Sequence, residues 1–211
     1  MRMGCVEMKK IIGLLLLTFC WMLPAQAMVE PGTEKGDRYA FSYPVVTVED
    51  PQAQAAIQAD IDGYLANLRE HVASHSMVME AKTAYDVKYE DAEVLSLTLT
   101  SYEYTGGAHG MYVIYGLNYD KRTGARLPLD NYLKVTVPDL QEAVGKHLYN
   151  GSGKKIPFHW TATVKRVPVD YYLLGNGAIA LQFQPYELGP YADGATTIRF
   201  SGEEVAAYNA K

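Results

Sequence analysis

A histidine on a glycine-rich segment, Tyr104-Thr-Gly-Gly-Ala-His-Gly110, is the first residue to weigh for chemistry. Presented on a loop, the His109 imidazole could act as a base or hold a ligand. It could equally bond to backbone and keep two strands in register. Gly106, Gly107 and Gly110 are what a turn with positive φ or a close backbone approach requires. No carboxylate lies inside the segment to activate the imidazole. His71 and His75 are four residues apart, the spacing of helical zinc sites, but no Glu follows His71 and two ligands do not make a site. Histidines in the last turn of a helix also interact favourably with its dipole. Glu187 and Asp193 are the one loop pair to consider for glycoside hydrolysis, which needs two carboxyl groups about 5–10 Å apart across a cleft. No Gly-x-Ser-x-Gly occurs. No residue is assigned a catalytic or metal-binding role, and no cofactor is expected.

Tyrosine is the unusual component, with 17 in the chain. Tyr186 and Tyr191 frame a loop that also holds Pro185, Pro190 and Asp193, while Tyr102, Tyr104, Tyr112 and Tyr115 flank the glycine-rich turn. A flat ring offers a large contact area at low entropy cost, which suits recognition of proteins or sugars. Tyrosine is also an ordinary residue of a half-buried sheet.

The periodicity shows which elements would position these groups. Tyr39 to Val48 alternates as a strand. Asp50 then caps a helix that Pro51 begins, with Ile57, Ile61, Tyr64, Leu65, Leu68 and Val72 forming one apolar stripe. From Lys82 the period becomes two. Tyr85 to Tyr89, Val94 to Tyr104 and Met111 to Tyr119 read as strands, with Leu95, Leu97 and Leu99 sharing one face. Asp120 to Gly124 is a hairpin turn. A second helix is expected from about Pro138 to Tyr149. Strands at Tyr171 to Leu174, Ala178 to Gln184 and Thr196 to Phe200 follow, and Ser201 to Glu204 is a capping-box start for a terminal helix. Strands joined mostly by hairpins, with helices between groups, indicate an α+β class: an antiparallel sheet with two main helices on one face and a short C-terminal helix.

The N-terminus reads as a signal peptide over residues 1–27. Lys9 and Lys10 precede the apolar run Ile11 to Leu23, and Pro24-Ala-Gln-Ala27 supplies a cleavage pattern. The run of about 13 residues falls short of the roughly 20 that span a bilayer, so no stable membrane span is expected. Cys20 raises lipidation as an alternative, although Phe19 stands where lipoprotein processing wants a small residue. Cleavage near Ala27 would export the chain to the periplasm or the medium. It would leave a flexible leader at 28–38 and one domain at 39–211. Both cysteines, Cys5 and Cys20, fall in the removed part, so the exported domain has no disulfide and no thiol nucleophile. The formal charge of −5 argues against nucleic acid and favours a cationic partner by steering.

Two segments, Tyr104 to Gly110 with the following Asn118-Tyr-Asp120, Thr123-Gly124 and Leu129-Asp130, and Gln184-Pro-Tyr-Glu-Leu-Gly-Pro-Tyr-Ala-Asp-Gly194, carry a resemblance at this order and spacing. The chain resembles the domain of unknown function found in the extracellular part of lysozyme-sensing anti-sigma factors and beside peptidoglycan deacetylase domains, over roughly Tyr39 to Tyr208. The resemblance implies an α+β fold, an extracytoplasmic setting and, in the anti-sigma factors, direct binding of lysozyme. The chain shows no sigma-binding segment and no deacetylase domain, so neither transmembrane signalling nor deacetylation is carried over. The expectation is a cell-envelope binding module for a lysozyme-like muramidase or a peptidoglycan-related ligand. Its ligand would be held by Tyr104, Gly106, Gly107, His109, Tyr186, Glu187, Tyr191 and Asp193. The alternatives are a small envelope hydrolase using His109 with a loop carboxylate, and a structural envelope protein.

Overall fold

The computed structural model describes residues 27–157 and 163–211. The expected signal peptide and His159 lie outside the described residues, apart from Ala27 at the boundary. The chain forms β1 (Met28–Lys35), β2 (Tyr39–Thr47), α1 (Pro51–Ser74), β3 (Glu80–Glu90), β4 (Val94–Tyr104) and β5 (Met111–Asp120). These are followed by α2 (Val137–His147), β6 (Leu148–Tyr149), β7 (Tyr171–Gly175), β8 (Ala178–Phe183), β9 (Thr196–Phe200) and α3 (Gly202–Asn209). The α+β class and the short C-terminal helix are as expected. The strands divide between two sheets, of order β1-β2-β3-β4-β5 and β6-β9-β8-β7. All pairings are antiparallel except β2 with β3, which are parallel because α1 crosses between them.

Residues 28–38 are not a flexible leader. Met28–Lys35 is an edge strand in continuous register with β2, from Met28 opposite Thr47 to Lys35 opposite Ala40. Glu34 accepts from Arg69 of α1 at 2.9 Å and from the Tyr39 hydroxyl at 2.7 Å. Arg38, in the turn after β1, donates to the carbonyls of Val72, His75 (2.9 Å) and Val78 (2.8 Å), so its guanidinium closes the C-terminal end of α1. The segment is polar and lacks apolar alternation, so its hairpin pairing with the adjacent β2 left no strand period to read.

Asp50 caps α1 as expected, accepting from Gln52 N at 2.7 Å and Ala53 N at 3.0 Å. Ile57, Ile61, Leu65 and Val72 are buried against Leu95, Leu97, Leu99 and Leu117, forming the core of the first sheet. Each such side chain contributes roughly 1.5–3 kcal/mol. Tyr64 and Leu68 are half-buried at the edge of this stripe. A second core lies between the other sheet, α2 and α3, with Leu140, Val144, Leu181, Phe183, Ile198 and Phe200. Leu148, within the range expected for the second helix, instead begins β6 opposite Ile198.

The two sheets meet where β7 lies over the face of the first sheet opposite α1. Ser96, Thr98 and Asn118 are buried there. Ser96 Oγ donates to Asn118 Oδ1 at 2.6 Å and accepts from Leu173 N at 2.9 Å. Asn118 Nδ2 donates to Tyr171 O at 2.8 Å. Gly116 permits this approach, because a Cβ there would lie 2.2 Å from Tyr171 O. Among the described residues, no helix is long and apolar enough to cross a membrane.

Candidate functional site

The β4–β5 loop reverses on Gly106 (φ 97°) and Gly107 (φ 100°), values that glycine alone adopts at little cost. Tyr104 closes the turn, its hydroxyl donating to Gly107 O at 2.9 Å. Gly110 is buried, and a Cβ on it would lie 2.4 Å from the Tyr102 ring. Exposed His109 is therefore held on a tightly constrained return, with Nδ1 3.0 Å from Gly110 O.

The β8–β9 loop comes to meet it. The His109 imidazole stacks on the Tyr191 ring at 3.9 Å between centroids and 15° between planes. The Tyr191 hydroxyl donates to Gly110 O at 2.7 Å, which ties the two loops together. Tyr112 places its ring edge against Tyr191 at 6.2 Å, and its hydroxyl accepts from Ala195 N at 2.8 Å. Tyr186 continues the row on the other side, 5.5 Å from Tyr191. Burial, and then the neighbouring Tyr112, Tyr102 and Tyr186 hydroxyls, raise the Tyr191 pKa above its ordinary value. Tyr191 thus remains a proton donor throughout the neutral range.

Tyr186 is the conformational exception. It has φ of 70° and is 56% exposed. For a bulky L-residue this backbone costs about 1–3 kcal/mol, and strain of this kind clusters at ligand-facing positions. The turn that imposes it is anchored at both ends. Glu187 N donates to Gln184 O at 3.1 Å, and Gln184 N donates to Glu187 Oε2 at 2.6 Å. The Gln184 amide accepts from Ile114 N and donates to Ile114 O, both at 2.8 Å, occupying the edge of β5 as a strand residue would. Glu187 Oε1 takes Arg166 Nε at 3.0 Å and Nη2 at 2.8 Å. Beside this ion pair is a cleft of about 240 Å³ lined by Thr163, Lys165, Arg166, Phe183, Tyr186, Glu187 and Leu188.

The residues singled out from sequence therefore take different places. His109, Tyr191 and Tyr186 form one packed row of rings. Tyr104, Gly106 and Gly107 shape the loop beneath it. Glu187 is committed to Arg166 and to Gln184 N, and Asp193 sits in the 3₁₀ turn Tyr191–Asp193 that carries the central ring. Gln184's anchoring role and Arg166 were missed. No local pattern announces contacts that span 70 and 21 residues of chain.

His71 Nε2 lies 2.6 Å from Glu103 Oε2, and its ring stacks on His75 at 4.2 Å. His147 faces Glu204 at 3.1 Å. Among the described residues, no group of three or more His, Cys, Asp or Glu side chains could hold a metal ion.

Residues 34–112 match the family model described as Deacetylase PdaC. That segment runs from the end of β1 into β5 and includes the glycine-rich loop but not the β8–β9 loop. No curated protein matches the chain. The fold is similar to a DUF3298 family protein from Pseudomonas aeruginosa PAO1, with TM-score 0.54 and 14% identity over 85% of this chain and 92% of that one. A DUF3298 family member from Bacteroides fragilis NCTC 9343 is similar with TM-score 0.57, at the same identity and coverage. The chain is thus similar to the PdaC family model across most of its first sheet and shares the DUF3298 architecture over most of its length.

Proposed function

We propose that this protein is an exported cell-envelope binding module that takes a peptidoglycan-related ligand on the surface formed by His109, Tyr191 and Tyr186. The observation that carries this reading is the meeting of two loops in a row of rings, one of them exposed on strained backbone. A rigid aromatic surface with few rotatable bonds is suited to sugar or protein contact. The match to the PdaC family model supports an envelope setting, and the pattern of residues 1–27 supports export. A lysozyme-like muramidase is the second reading, favoured by the formal charge of −5, which would steer a basic protein. The hydrolase alternative would need a carboxylate to activate His109, and Glu187 is ion-paired with Arg166.

Calorimetric titration of the exported chain with peptidoglycan fragments and a panel of lysozymes tests the proposal. Saturable binding that Tyr191→Ala abolishes is expected. A flat trace across both panels would remove it.

A further inference from the structure

Building on the binding function proposed above, we infer that the ring row and the adjoining Arg166 cleft form one subsite for a carboxylate-bearing saccharide. The pyranose face would lie on the exposed Tyr186 ring, and the carboxylate would enter the cleft beside Lys165 and Arg166. Three observations converge on this class. The Gln184–Glu187 turn holds Tyr186 at φ 70° with its ring more than half exposed, so an external face is the natural partner of that ring. Its neighbour Tyr191, 5.5 Å away and tilted by 35°, backs it, and His109 stacks on Tyr191 in turn, so the row braces the Tyr186 ring that meets the apolar face of the sugar.

The cleft on the far side of Tyr186 has a volume of about 240 Å³. Drug-sized ligands occupy about 300–1,000 Å³, so a substituent rather than a whole ligand fits here. The charge of its wall gives the sign of that substituent. Lys165 and Arg166 outnumber Glu187, a local positive balance in a chain of formal charge −5. Arg166 spends two of its five N–H donors on Glu187, and Glu187 holds the guanidinium in place at the cleft. A fixed guanidinium beside a lysine is the donor set for a carboxylate. The group could come from a lactyl ether on an amino sugar or from a uronic acid.

Calorimetry on the full exported chain separates the possibilities. The probes are a neutral N-acetylglucosamine trisaccharide, the disaccharide of N-acetylglucosamine and N-acetylmuramic acid, and a trigalacturonate. At least one acidic probe is expected to bind roughly tenfold tighter than the neutral one, as a charge-assisted hydrogen bond provides. The better acidic probe identifies the source of the carboxylate. Lys165→Gln, which leaves the Arg166–Glu187 pair intact, should erase that preference. Tyr186→Gly, which accepts the positive φ, should weaken every probe without lowering the melting temperature. Equal affinity for neutral and acidic probes would overturn the carboxylate subsite. So would binding of lysozyme with no glycan, although the envelope binding function would then stand. Silence from every glycan and every muramidase would overturn both.

Discussion

At the scale of single residues, the junction between the sheets depends on polar groups whose partners lie on other strands. Asp170 is one of them. Its Oδ1 accepts from Gly116 N at 3.0 Å, and its Oδ2 is 3.3 Å from Gln184 Nε2. Burial raises its pKa above the ordinary value of 3.8, outweighing the opposing hydrogen bonds and the nearby Arg166 and Arg126. The folded state therefore binds this proton more readily than the unfolded chain. It follows that stability from Asp170 is full below about pH 4 and declines as pH rises through the raised folded value. Asp170→Asn keeps an acceptor for Gly116 N and removes the titration. Urea unfolding of the variant between pH 4 and 7 should show a flatter pH profile, with stability at neutral pH equal to or above that of the parent.

At the scale of elements, helix ends and sheet edges are where side chains complete the backbone. Thr136 and Asp139 form a reciprocal cap on α2, with Thr136 N donating to Asp139 Oδ2 at 2.9 Å and Asp139 N to Thr136 Oγ1 at 3.4 Å. The Thr136 hydroxyl, then its backbone N–H, then Lys211 hold the Asp139 pKa down to about 2. A depressed carboxylate stabilises the fold above its unfolded value near 3.8 and loses that contribution as pH falls toward 2. Asp139→Asn should remove this part of the acid-side slope, visible in melting temperatures between pH 4 and 2. At the sheet edge, β1 covers β2 and ties to α1 through Glu34 and Arg69. Removing residues 28–37 should lower the melting temperature by several degrees, at about 2–4 °C per kcal/mol for a chain this size, and expose β2 to self-association. Size-exclusion chromatography and thermal unfolding of the truncated chain check this outcome. A dispensable leader would leave both unchanged.

At the scale of the whole molecule, two hydrophobic cores are joined through one polar seam. Ser96, Asn118, Asp170 and Gln184 satisfy backbone groups across it, and Gly116 sets its separation. A methyl group at position 116 would meet Tyr171 O at 2.2 Å and Tyr171 N at 2.6 Å, both backbone atoms. Gly116→Ala should therefore push β7 off the first sheet and destabilise the fold by about 1–3 kcal/mol or more. Because each core leans on the seam, the parent should unfold in one transition seen alike by near-UV and far-UV circular dichroism. In Gly116→Ala the two signals should begin to separate. The same seam bears on the proposed ligand surface, since Gln184 fixes the loop that raises Tyr186 at the edge of β5.

Local physics made much of this protein legible in its sequence. The 3.6-residue period of Ile57, Ile61 and Leu65, the caps at Asp50 and Ser201 and the alternation of Leu95, Leu97 and Leu99 each depend on neighbours within a few residues. The α+β class and most element boundaries could therefore be read directly. The glycine-rich loop stood out because clustered glycines mark a constrained turn, and the second loop because its tyrosines offer contact area. Tertiary structure decided what depends on distant partners. It tied β1 to α1 through Glu34 and Arg69 and divided the strands between two sheets across a polar seam. It also brought His109 onto Tyr191 and committed Glu187 to Arg166. Sequence patterns record the period of one element at a time, and a hydrogen bond or ring contact across 70 or 80 residues leaves no period behind it.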